Sequence, residues 1–549
     1  MTSPDVTVVV AVYNTMPYLT ECLNSLVGQS IGRDRLEIVA VDDGSTDESG
    51  AELDRFAKKY PDTVTVIHQA NSGGPAAPSN RALDVATGRY VYFIGADDHL
   101  GKEALARMVA YADKHDSDVV IGKMVGTNGR YVHQALFKKS DPDISLYDSE
   151  LPFTLANTKL FRRELVDKYK LRFPEDLPVG SDMPFTIEAC VRARKISVMA
   201  DYTCYYAVKR GDASNITYRA DHLSRLRCTA EIMKHAAGLV EAGPRRDHLL
   251  KRHFTWELAK LVREDFPSLD GETRQEVCAG IARLADEYFT EALRDSMDVK
   301  RRVRIGLAQR GAVQELVQAI TDEAGAPVLV EDGRAFVRYP GFRTAGLDLP
   351  DRLFEADAAS LPAVLAEATG LVSAEWEQTG EQLALAVAVR AGAVGETDSA
   401  VIRLVNGAMP KSSDKAGGRK LPEGHELPAP VGEFSREPMP DGSGTLIRAR
   451  IPVEPKRAKL GVRVHVDVAG STYEIPVKTC GLPLPLARRW RETIPYRISA
   501  NANPKGRLVI TTAPLWEPRV GLDARLRALL SRLPRLRALL SRVKRKLTR

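Results

Sequence analysis

The chain has 549 residues, 44% hydrophobic and 27% charged, the balance of an ordinary globular protein but too long for one compact core, so several domains are expected. No apolar run is long enough to span a bilayer, and the opening Met-Thr-Ser-Pro-Asp lacks a basic start and an apolar signal core, which argues for a cytoplasmic protein. The net charge of +6 is uneven: residues 521–549 carry ten Lys or Arg against Asp523 alone, leaving the body mildly acidic and pointing to an anionic surface near the tail.

In chain order, Val6–Val12 reads as a strand and Tyr18–Val27 as a helix with Leu19, Cys22, Leu23 and Leu26 on one face. A strand over Glu37–Val41 leads to a helix over Ser49–Lys59, with Asp47 as its N-cap. A third strand follows at Val64–His68, then a helix from Ser79 and a fourth strand at Tyr90–Ile94. Strands alternating with helices predict a parallel sheet of nucleotide-binding α/β type, in which ligands sit at the carboxyl ends of the strands. Polar clusters fall at those ends: Tyr13–Asn14, Asp42–Asp43, Asn71–Gly74 and Asp97–Asp98.

Residues 221–325 read as helical, with stretches at His222–Val240, His248–Arg263, Thr273–Arg294 and Ala312–Glu323. Residues 326–515 alternate and turn like an all-β, sandwich-type region, with Gly407–Pro430 as a long loop. Residues 516–549 form a basic amphipathic tail in which RLRALLSR occurs at Arg525–Arg532 and again at Arg535–Arg542, with Pro534 between the copies. Leucines at helical spacing beside arginines predict interfacial helices on an anionic membrane, with packing on the body as the alternative. A nucleic-acid partner is not expected, because the tail has no aromatic residue for base stacking. The six scattered cysteines argue against a zinc site or a disulfide framework, and buried reduced thiols are expected.

The segments VVVAVYN (Val8–Asn14), VDDGSTD (Val41–Asp47), NSGGPAAPSN (Asn71–Asn80) and FIGADD (Phe93–Asp98), in this order, resemble the family 2 glycosyltransferases of the GT-A fold across about residues 5–220, within a catalytic domain expected over 1–220. The resemblance implies transfer of a sugar from a nucleotide-sugar donor. It makes Asp42 the acceptor for the uracil N–H, puts Tyr13 and Ala11 beside the base, and lets Asn71 and Gly73 approach ribose or phosphate. Asp97 and Asp98 would hold Mn²⁺ or Mg²⁺, hard ions that prefer carboxylate oxygen and stabilise the leaving diphosphate. Two departures stand out: Gly95 replaces the first acid of Asp-x-Asp-Asp, and Pro78-Ser79-Asn80 replaces Ala-Arg-Asn, so Arg81 is the substitute cation. An inverting transferase also needs a general base for the acceptor hydroxyl. The acidic motif Glu-Asp-x-x-Phe is matched by Ser181–Phe185, which makes Asp182 the candidate and Asp176 its competitor. Arg210, after the strand Tyr202–Val208, would contact the diphosphate.

The domain order is also similar to that of the poly(ribitol-phosphate) N-acetylglucosaminyltransferases that decorate wall teichoic acid. This implies a UDP-sugar donor, a polymeric or lipid-linked envelope acceptor, and a homo-oligomer formed through the β-rich region. A peripheral position at the inner face of the membrane follows from the tail. A capsule or exopolysaccharide transferase and a non-catalytic nucleotide-sugar-binding scaffold are the alternatives.

Overall fold

The computed structural model describes residues 3–211, 220–322, 326–394, 401–406, 418–426, 433–439, 444–468 and 470–516. Expectations for most of the 407–430 loop and for the tail from 517 onward lie outside the described residues. Two compact units result: Met1–Thr321 with Arg343–Leu349, and Asp322–Phe342 with Pro350–Arg549.

The first unit is built on a nine-stranded sheet. Its strands are β1 (Val6–Val12), β2 (Leu36–Asp42), β3 (Val64–His68), β4 (Tyr90–Gly95), β5 (His99–Leu100), β6 (Val119–Thr127), β7 (Asp141–Ile144), β8 (Leu160–Arg162) and β9 (Ile196–Val208). The spatial order is β3-β2-β1-β4-β8-β6-β9-β5, with β7 beside β9. The first four are parallel to one another, and β8 runs antiparallel between β4 and β6. A parallel sheet is covered on both faces, which is why Val6, Val8, Val9 and Val10 are all buried rather than alternating.

The helices of this half are α1 (Tyr18–Val27), α2 (Ser49–Lys59), α3 (Ala76–Val85), α4 (Ala104–His115), α5 (Arg163–Lys168) and α6 (Asp182–Arg192). Helix α1 buries the stripe Leu19, Cys22, Leu23 and Leu26. Helix α3 starts three residues earlier than its periodicity suggests, because Pro78 is tolerated in a first turn. Asp47 is not the cap residue of α2, yet its carboxylate accepts from Ser49 N at 2.9 Å and from Met16 N at 3.1 Å.

The helical segment belongs to the same unit. Helices His222–Leu239, Gly271–Tyr288 and Val313–Thr321 follow the expected pattern, whereas Val299–Gln309 was not anticipated. Between Pro244–Arg252 and Ala259–Leu261 the chain takes a π-helical turn over His253–Leu258, a form that recurs at functional positions. His248 Nε2 lies 2.8 Å from the Ser149 carbonyl oxygen, tying the segment to the sheet domain.

The second unit is all-β apart from short helices and holds sheets of three, four and seven strands among the described residues. Among its strands, Arg334–Val337, Gly370–Thr379, Glu433–Pro438, Leu486–Arg491 and Ile494–Ala502 carry no clear alternation in sequence. Five cysteines are buried and free, while Cys480 is exposed, against expectation. No described helix is long and apolar enough to cross a membrane. The expected α/β domain, helical segment and all-β region are all present.

Candidate active site

The parallel strands end together, and short side chains stitch their loops. Asn14 follows β1 in left-handed geometry (φ 49°), and its Oδ1 accepts from Thr46 N at 2.8 Å and Asp47 N at 3.2 Å. Gly44 at φ 72° has no substitute, since a Cβ there would lie 2.8 Å from Asn71 N. Buried Asp43 accepts from Gln69 Nε2 (2.7 Å), Ser72 N (3.1 Å) and Ser72 Oγ (2.9 Å), and so shapes the loop after β3. Asn71 reinforces it by donating to the Asp43 carbonyl at 3.0 Å and accepting from Gly73 N at 3.1 Å.

Asp42, the expected uracil reader, is buried and already engaged. Its Oδ1 accepts from Ser45 N at 3.0 Å and its Oδ2 lies 2.9 Å from His68 Nδ1. Burial works against its charge, but the bonds from Ser45 and His68 hold the carboxyl below its ordinary range. A carboxylate has about four lone-pair sites, and these bonds do not fill them all. Ala11, between Val41 and Gly95 in register, and Tyr13, 45% exposed, flank this position.

Asp97 and Asp98 behave differently. Asp98 is 7% exposed; its Oδ2 accepts from Tyr205 OH at 2.5 Å and its Oδ1 from Val208 N at 2.7 Å. Desolvation, with the charge of Asp97 beside it, pushes its carboxyl up to about 6. Asp98, expected beside Asp97 as a metal ligand, fastens β9 to the end of β4 with both oxygens. Gly95 is the reason it can do so: a Cβ there would meet Asp98 Oδ2 at 2.9 Å and Asp97 Oδ1 at 3.1 Å. Asp97 pairs with Arg210 at 2.7 Å, and the Arg210 guanidinium carbon lies 5.9 Å from the Tyr18 ring centre. Arg210 and Asp97, separate guesses in the sequence, are thus one unit.

Of the two carboxylates, Asp97 is the more exposed. No group of three or more His, Cys, Asp or Glu side chains suited to a metal occurs among the described residues. One carboxylate suits Mg²⁺ or Mn²⁺ only where substrate phosphates and water complete the shell, which is how Mg²⁺ is commonly bound.

Asp182 opens α6, where the helix dipole favours its ionised form. Phe185, one turn on, stacks on Phe173 at 4.3 Å and meets Phe93 of β4 and Phe161 of β8 edge-on at 5.4 and 5.3 Å. This cluster packs α6 against β4, the strand that leads into Asp97, and it accounts for the phenylalanine of the acidic motif. Burial raises the Asp182 carboxyl, partly countered by the cations Arg252 and Lys159. Lys159 is 2% exposed, donates to the carbonyls of Thr154 and Ala156, and is lowered by desolvation to about 8. Arg252 comes from the helical segment and bonds Glu257 Oε1 at 3.0 Å. Asp176 is exposed, while its neighbour Glu175 receives Asn80 Nδ2 at 2.9 Å.

Arg81 is not brought into the cluster. It is exposed on α3, and the buried Ser79 hydroxyl, at the family's arginine position, returns to the Pro75 carbonyl at 2.6 Å. Residues two apart on a helix point roughly 200° apart, so Arg81 does not inherit that direction. Missed by the sequence reading were His68, detectable as a strand-end residue, and Lys159, Arg252 and Tyr205, which gave no local signal.

A family model described as Glycosyl transferase family 2 matches residues 7–170, and one described as Glycosyl transferase TarS linker domain matches residues 225–320. Residues 7–170 are a family 2 glycosyltransferase domain. The chain is 42% identical over 214 residues to the poly(ribitol-phosphate) beta-glucosyltransferase of Bacillus spizizenii, covering 39% of this chain and 34% of that protein. The chain thus spans about a third of that relative's length. The crystal structure of S. aureus TarS 1-349 in complex with UDP-GlcNAc matches with TM-score 0.55 and 27% identity, over 64% of this chain and 99% of that one. That of S. aureus TarS matches with TM-score 0.58 at 21% identity, over 93% and 86%, a likeness of fold.

Proposed function

We propose that this chain is an inverting glycosyltransferase that moves a sugar, an N-acetylhexosamine or a hexose, from a UDP-sugar to a hydroxyl of a cell-envelope polymer such as teichoic acid. The observation that carries this reading is the meeting of Asp42, Asp97 and Arg210 at one sheet edge, with Asp182 opening a helix that the aromatic cluster packs on β4, the strand that leads into Asp97. Likeness to proteins whose names specify poly(ribitol-phosphate) and UDP-GlcNAc supports the substrate classes.

In this scheme the lone-pair sites left on Asp42 accept the uracil imino proton, and Tyr13 and Ala11 border the base. Arg210 exchanges Asp97 for the donor diphosphate, which suits its forked donors. Asp182 takes the proton of the acceptor hydroxyl as that oxygen attacks the anomeric carbon. The bond from that carbon to the β-phosphate oxygen breaks, and UDP leaves with configuration inverted. Mn²⁺ or Mg²⁺, held by Asp97 and the diphosphate, would supply Lewis-acid stabilisation of the leaving charge. The β-rich unit serves assembly or acceptor holding, and the basic tail adds affinity for an anionic membrane.

The test is transfer from UDP-GlcNAc and UDP-glucose to poly(ribitol-phosphate), run with wild type and Asp182→Asn. Transfer by wild type and its loss in the variant support the reading. Donor binding without turnover in either would make the chain a nucleotide-sugar-binding scaffold.

A further inference from the structure

The last three strands of the second unit present an unusual outer face. Leu486–Arg491 is the edge strand of the seven-stranded sheet and pairs antiparallel with Ile494–Ala502, which pairs with Leu508–Pro514. Side chains alternate along a strand and directly opposed residues share a face. Ala487 opposes Ile498, which is fully buried, so that face is the core side. Leu486, Arg488 and Trp490 therefore share the solvent face, with Arg497 opposite Arg488 and Pro495 opposite Trp490. Leu515 N donates to the Pro495 carbonyl at 2.8 Å, which brings Leu515 and Trp516 to the same place.

This face is apolar where it should be polar. Trp490 is 64% exposed, Trp516 53%, Leu486 50% and Leu515 47%, and the two indoles meet edge to face at 6.0 Å. Among the described residues Arg488 and Arg497 have no acidic partner, although like charges directly opposed across a sheet repel. Arginines on an edge strand do discourage unwanted strand pairing. That explains charge on the edge but not two tryptophans and two leucines around it.

We propose that the face formed by Leu486, Arg488, Trp490, Arg497, Leu515 and Trp516 docks on an anionic lipid surface. Tryptophan settles at the interface between headgroups and acyl chains, leucine enters the acyl boundary, and arginine reaches phosphate. A soluble phosphate polymer would answer the arginines and leave the exposed leucines and indoles without a partner, which decides between these polyanions. The sequence leaving this face points the same way: after Trp516 come 33 residues bearing eleven Lys or Arg against Glu517 and Asp523. The proposal stands apart from the donor chemistry and rests on none of its residues.

The test uses the full chain with vesicles of phosphatidylcholine alone, or with about one-third phosphatidylglycerol. Wild type should sediment with the anionic vesicles, less so at high salt, and lipids brominated on the acyl chains should quench its tryptophan emission. R488Q/R497Q should lower the partition coefficient roughly 30-fold, about fivefold for each basic residue at such a surface. W490F/W516F should lose the quenching, since the other two tryptophans are Trp256 and Trp376. All these side chains are exposed, so melting temperatures should not move. If both double variants partition and quench like wild type, the sheet face is not part of the anchor. If vesicles bind no variant while long-chain polyphosphate binds wild type and is lost in R488Q/R497Q, the surface takes a polymer and the lipid proposal falls.

Discussion

Replacing Asp97 and Asp98 one at a time with Asn separates a carboxylate that faces ligand from one that holds the fold. Asp98 accepts one hydrogen bond from Tyr205 OH and another from the Val208 backbone N–H, and is 7% exposed. In Asp98→Asn the amide oxygen keeps one of these donors and the new NH₂ confronts the other. One buried donor is left unsatisfied, at a cost of about 1–3 kcal/mol. For a unit of this size that lowers the melting temperature by roughly 1–5 °C. Asp97 instead meets Arg210 in a pair whose side chains are each 13% exposed. In Asp97→Asn the amide oxygen can still accept from Arg210, so the change should cost about 1 kcal/mol. Differential scanning fluorimetry and Mn²⁺-dependent hydrolysis of UDP-GlcNAc read the two effects separately. Asp98→Asn should lose stability and keep a metal response, whereas Asp97→Asn should keep stability and lose the response. A stable Asp98→Asn that no longer responds to Mn²⁺ would refute the division of roles.

Four further outcomes are expected. Asp182→Asn should lower kcat about 10²–10⁴-fold with donor affinity unchanged, as befits a base acting on the acceptor. Burial raises Asp182, so the acid limb of kcat should lie above the ordinary carboxylate value of about 3.9, and Arg252→Gln, by removing a cation that favours the charged form, should move it higher still. His253 is fully buried, neither ring nitrogen has a hydrogen-bond partner, and burial with the nearby Arg252 charge lowers it to about 3. The unfolded chain takes up a proton that the native state refuses, so stability present above the unfolded value of about 6.5 is lost as pH falls towards 3. Urea titrations should show a loss of roughly 2 kcal/mol between pH 6.5 and 5 that His253→Leu abolishes. Gly44→Ala should weaken UDP binding measurably by calorimetry, because its Cβ would collide with Asn71 N and disturb the loop that Asp43 holds.

Much of this was legible in the sequence, for local reasons. A parallel strand buried on both faces must be apolar along its length, so Val6–Val12 and Tyr90–Ile94 declared themselves, and the polar residues ending such strands had to lie together at one edge. That logic found Tyr13, Asn14, Asp42, Asp43, Asn71 and Asp97 without knowledge of the fold. Helix periodicity gave most of the segment after Asp221 in the same way. The edge strand Leu486–Arg491 stayed hidden because it is exposed on most of its length and so carries no clean alternation.

Tertiary structure alone decided which neighbours each charge would meet. Adjacent in sequence and identical in chemistry, Asp97 and Asp98 differ because β9, more than a hundred residues on, brings Tyr205 and Val208 to one and leaves the other to Arg210. The environment of Asp182 is likewise set by Lys159 before β8 and Arg252 in a separate helical segment. Residue type and spacing fix what a side chain can do, through the periodicity of strand and helix. A carboxylate's charge state, and whether it faces substrate or holds a strand, depends on burial and on partners distant in sequence, which come together only when the chain folds.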